Sequence, residues 1–129
     1  MILVYVAGPY RGTNAWIIEE NIRRAERVAL ESWRCGAAVI CPHANTRFYQ
    51  GALPDQVWLD GDLEMIMRSD VVMMVEGWEH SVGACEERRT ALEMGIPVVY
   101  TLEELACLIT TSNLDSTTKP TMERSETRP

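Results

Sequence analysis

Short apolar, β-branched runs alternate along the chain with longer stretches of helical period, and this alternation constrains the fold more than any other feature. Ile2 to Ala7 is such a run, closed by Gly8-Pro9, the pattern of a buried strand and its exit turn. Thr13 or Asn14 is placed to cap a following helix, in which Ile18, Ile22, Ala25 and Ala29 recur at helical spacing before Gly36. Ala37 to Cys41 is a second strand, stopped by Pro42, and residues 43–53 have no period and predict a loop with one helical turn. Pro54-Asp55 opens a helix to about Arg68, Asp70 to Glu76 is a third strand, and a helix follows from Val82 to Met94. Ile96 to Tyr100 is a fourth strand, and Thr101 caps a last helix expected to run from Leu102 to Ile109.

Strands separated by helices predict βαβ units, hence a parallel sheet with helices on both faces. The expectation is one α/β domain over residues 1–109, a flavodoxin- or Rossmann-like three-layer sandwich of four to five strands. From Thr110 the chain is rich in Ser, Thr, Pro and charge, so residues 110–129 are expected to be a disordered tail, unable to bury enough surface to offset its ordering entropy.

A chain of 129 residues that is 47% apolar has material for a single core. Its formal charge of −7 opposes a nucleic-acid-wrapping surface, which needs a basic stripe, but a nucleotide-sized anion requires only a few directed donors. The four cysteines (Cys35, Cys41, Cys85, Cys107) contain no CxxC pair, so neither a disulfide scaffold nor a zinc site is expected. No metal or other cofactor is implied. The start lacks the basic flank of a signal peptide and no apolar run approaches the ~20 residues that cross a bilayer, so a cytoplasmic protein without membrane partners is expected.

In an open parallel sheet, ligands collect outside the carboxyl ends of the strands. Three segments meet there on this reading: residues 8–12 (GPYRG), residues 42–47 and residues 77–83. The first offers glycines for close backbone approach and Arg11 as an anion fork, yet matches neither common nucleotide fingerprint and serves equally as a plain turn. Ser81 and Gly83 open a helix whose free N–H groups make an anion site, or an ordinary serine cap. His43 follows Pro42 at a strand end; a packing role suits it as well as substrate contact does. Helical facing separates Glu87, which shares a face with Gly83, Ala84 and Ala91, from Glu86 on the solvated side. The same test singles out Asp62 among Trp58, Leu59, Met65 and Ile66. Two inward carboxylates fit acid–base or nucleophilic work on a glycosidic bond, and from spacing alone a salt bridge or cap fits them too.

VYVAGPYRG, DLEMIMRSDVVMMVE and SVGACEERRTALEMGIPVVY, in that order over residues 1–108, resemble the nucleoside 2-deoxyribosyltransferase superfamily, especially its 2'-deoxynucleoside 5'-monophosphate N-glycosidase branch. The resemblance implies that Glu87 attacks C1' of the sugar, that Asp62 binds the base or assists its protonation, and that Tyr5 orients Glu87. Gly8, Pro9, Tyr10 and Arg11 would line the sugar-phosphate side with His43, and Ser81 and Gly83 would hold a 5'-phosphate. It also implies a homo-oligomer. Glu86-Glu87-Arg88-Arg89 departs from the Tyr-Glu-Leu-Gly run of some hydrolases of this family, and the polar C-terminal tail does not match the segment with which its transferases close the pocket. The expected activity is therefore hydrolysis of a (deoxy)nucleoside 5'-monophosphate to free base and sugar phosphate. Base exchange between nucleosides, and a nucleotide-binding module or sensor without turnover, are the alternatives.

Overall fold

The computed structural model describes residues 1–116, with side chains as far as Leu114. Four strands, β1 (Leu3–Ala7), β2 (Ala38–Ile40), β3 (Val71–Met74) and β4 (Val98–Val99), form one parallel sheet in the order β2-β1-β3-β4. Five helices connect and cover them: α1 (Ala15–Arg34), α2 (Pro42–Asn45), α3 (Asp55–Met67), α4 (Val82–Glu93) and α5 (Leu102–Ser116). The strand order matches the first four positions of the flavodoxin-like arrangement, so the expected α/β sandwich is what the chain forms.

Alternation along each strand sorts side chains to two faces. Val4 and Val6 of β1, with Val71 and Met73 of β3, meet Ala25 and Ala29 of α1 and Leu105 and Ile109 of α5. Tyr5 and Ala7, with Val72 and Met74, meet Ile66 of α3 and Ala84 and Ala91 of α4. The central strands are therefore buried on both faces, which is why they read as continuous apolar runs. Register between them is fixed partly by Asp70, whose carboxylate accepts from Leu3 N at 2.8 Å while its own N–H donates to Leu3 O at 2.8 Å.

Caps fall near the expected positions. Asn14 accepts from Ile17 N and starts α1, Ser81 accepts from Ala84 N and starts α4, and Thr101 Oγ1 accepts from Glu104 N at 3.1 Å. The one helical turn expected after β2 is α2. Two bounds differ. β4 is limited to two residues, because it is an edge strand paired on one side only. The last helix does not stop at Ile109, as expected, but continues to Ser116. There Thr110 and Thr111 turn their hydroxyls back onto the carbonyls of Ala106 and Cys107, so polar residues extend the helix without burying much surface. The remainder of the expected tail, residues 117–129, lies outside the described residues. No helix among the described residues is long and apolar enough to cross a membrane.

Candidate active site

The connections after β1 and β3 leave neighbouring strands for opposite faces of the sheet, which opens a crevice at their carboxyl ends. Gly8 follows the end of β1 at this point. A Cβ there would stand 2.7 Å from Val75 Cβ, so only glycine lets the end of β1 lie this close to the end of β3. Gly77, at φ +92°, takes a left-handed turn that brings it under Pro9, whose Cγ would lie 3.6 Å from a Cβ at that position.

The side chains aimed between the sheet and the α3–α4 layer include three ionisable ones. Tyr5 is fully buried in β1, and its hydroxyl donates to Glu87 Oε2. Glu87 lies between Ala84 and Ala91, the two fully packed residues of α4, and keeps partial solvent access. Burial pushes its carboxyl up to about 8; the Tyr5 hydrogen bond pulls the other way and the charge of Asp62 adds to the rise. Asp62, half-buried on α3, is raised to about 6 by loss of solvent. Tyr5 is held well above the usual phenol range by burial and by both carboxylates, so it remains a donor. The structure thus brings together Tyr5, Asp62 and Glu87 from three elements, as a pair of carboxyls with separated affinities and one phenol. Such separation is how a site assigns acid and base roles.

Around this cluster, the loop 8–12 is held from behind. His43 Nε2 donates to Pro9 O at 2.8 Å, and its ring meets Tyr10 edge-on at 5.3 Å. Burial lowers its pKa, and backbone bonds to Pro9 and Gly8 oppose that only in part, so the ring is a neutral donor. His43 therefore reaches the site through the loop it supports. Asn21 does the same: buried in α1, it donates from Nδ2 to Tyr10 O at 3.1 Å and to Arg11 O at 3.3 Å. Sequence reasoning passed over Asn21, although a polar residue beside Ile22 on the packed face of α1 was the available signal. Arg11 itself is 83% exposed and pairs with Asp55 at 3.3 Å. An exposed pair of this kind is worth about 0.2–1 kcal/mol and is readily exchanged for an anionic ligand.

Gly83 lies in the first turn of α4, with no atom nearer than Ser81 Oγ at 4.0 Å to the place a Cβ would take. It precedes Glu87 by four residues, hence on the same face and ~6 Å along the axis. An open groove of about 520 Å³ elsewhere, along the outer edge of β2 between Leu30, Trp33, Val39 and Ala44, contains neither Glu87 nor Asp62. Among the described residues no group of three or more His, Cys, Asp and Glu is arranged to hold a metal ion.

The chain belongs to a family defined by a domain of unknown function (DUF4406), whose model matches residues 2–100. That span carries the whole sheet and Tyr5, Asp62 and Glu87, and ends before α5. No curated protein matches the chain.

Proposed function

We propose that this member of the family hydrolyses the N-glycosidic bond of a (deoxy)nucleoside 5'-monophosphate. The observation that carries the reading is the Tyr5–Glu87–Asp62 cluster: two desolvated carboxyls of different affinity on facing helices, one of them oriented by a strand-borne phenol. The resemblance of the three sequence segments to nucleoside 2-deoxyribosyltransferases supports it, as does the open start of α4 one turn from Glu87, suited to a 5'-phosphate. Arg11 adds a second anion-binding group at the crevice mouth.

In the proposed reaction the Glu87 carboxylate attacks C1', the C1'–N bond breaks, and its electron pair leaves with the base, which takes a proton from Asp62. Water then attacks C1' of the glycosyl ester, giving its proton to the Asp62 carboxylate and releasing Glu87 as carboxylate. The products are free base and sugar phosphate. The Tyr5 hydroxyl donates to the Glu87 carboxylate and supports the charge it carries before attack and regains at the end. The pair must hold one proton in total; burial places it on Glu87 in the free protein, and it must pass to Asp62 before attack.

A chromatographic screen of nucleosides and their monophosphates tests this. Base release by the wild-type protein should be lost, by a factor of at least ~10² as for other positioned catalytic groups, in Glu87→Ala; unchanged release would end the proposal. A second free base in the same assay separates the transferase reading, which yields a new nucleoside. A module without turnover is favoured by one observation, the proton that burial keeps on Glu87 near neutral pH. It predicts saturable nucleotide binding by Glu87→Gln and no base release by the wild type.

A further inference from the structure

Among the described residues one buried side-chain polar atom lacks any hydrogen-bond partner, Trp58 Nε1. An indole nitrogen can only donate, and folded proteins rarely bury such a donor unpaired, because it gives up its bond to water and receives nothing. Trp58 is in the first turns of α3, four residues before Asp62 and therefore on the same face of the helix. That face fronts the cluster, since the Asp62 charge acts on both Tyr5 and Glu87. Because α3 leaves the carboxyl edge of the sheet and returns to its amino edge, Trp58 is nearer the crevice mouth than Asp62, by a helical rise of ~6 Å. Tyr49 packs against the indole at 5.8 Å between ring centroids, which fixes the ring while leaving its N–H unused.

We propose that Trp58 is a base-recognition residue: its Nε1–H donates to an acceptor atom, a ring nitrogen or carbonyl oxygen, of the heterocycle whose departure Asp62 assists. This deepens the nucleotide reading of the site and rests on it. The donor has no protein partner, so a base that supplies an acceptor gains a bond that a base without one does not. Discrimination then comes from a single direct bond.

The test uses Trp58→Phe, which keeps an aromatic ring against Tyr49 and deletes the N–H. Thermal denaturation of the ligand-free variant should show one cooperative transition, its Tm lowered only by the smaller ring, so that a change in affinity reads the N–H in a folded protein; a variant that does not fold would be replaced by Trp58→His, which keeps a ring N–H. Calorimetric titration with nucleoside monophosphates, in a Glu87→Gln background that stops turnover, should show affinity about tenfold weaker in Trp58→Phe. With analogues in which each acceptor of the base is replaced in turn by C–H, one analogue should lose the same factor against Trp58 and nothing further against Phe. Equal binding by both proteins, or losses that multiply for every analogue, would refute base recognition by Trp58. If the Glu87→Gln protein binds no monophosphate, both this proposal and the nucleotide reading fail. If it binds with the Trp58 signature while the wild-type protein releases no base, only the hydrolase reading fails.

Discussion

Glu87 differs from its neighbour Glu86 by one step along a helix, and that step separates an ordinary surface acid from one held near 8. Glu86 pairs with Arg89 in solvent, while Glu87 is part-buried on the face of Ala84 and Ala91 and bonded to Tyr5. Facing on a helix made this choice legible from spacing. The link to Tyr5 was available only through resemblance, because the contact spans 82 positions and no local pattern encodes it. A bell-shaped pH dependence of kcat/KM is expected, with limbs near 6 and 8, since the active form keeps one proton on the pair. Asp62→Asn removes the acidic partner and its charge. What activity remains should then rise along one limb, at a pH below 8, and a surviving bell would assign the second proton elsewhere. Tyr5→Phe deletes the bond that favours the ionised carboxyl, so the Glu87 limb should move to higher pH with a rate loss of about tenfold; an unmoved limb would show that the phenol does not act on Glu87.

At the scale of elements, the strands and α1 were readable because buried parallel strands and amphipathic helices carry their own periods. The end of α5 was not, since Thr110 to Ser112 have no apolar period and the helix is continued by hydroxyl-to-carbonyl bonds that composition does not announce. The loop 8–12 was legible as glycine-rich but not as a fixed object; its rigidity comes from Asn21 and His43, on two other elements. The contact between the ends of β1 and β3 is equally specific. Gly8→Ala places a methyl 2.7 Å from Val75 Cβ and should cost about 1–3 kcal/mol by forcing the two strand ends apart, measured by denaturant titration. Gly83→Ala, in open space four residues before Glu87, should leave stability nearly unchanged and serves as its control.

For the molecule as a whole, the buried Glu87 couples folding to pH. The folded chain holds this proton up to about 8, against an ordinary glutamate value of 4.5 when unfolded. Stability from this group is therefore complete below about 4.5 and declines as pH rises to about 8, because the unfolded chain ionises first. Glu87→Gln removes the dependence, so its Tm should match the wild type near pH 4.5 and exceed it near pH 9; a constant difference between the two would contradict burial of the acid. The cluster has another consequence, which follows from its origin in three separate elements. Excised α4 would carry a common glutamate, and so would a chain in which α3 had not yet docked. The unusual proton is thus a property of the finished tertiary structure, and an infrared or NMR titration of the Glu87 carboxyl would serve as a gauge of native assembly, reporting on a single bond whether β1, α3 and α4 have come together.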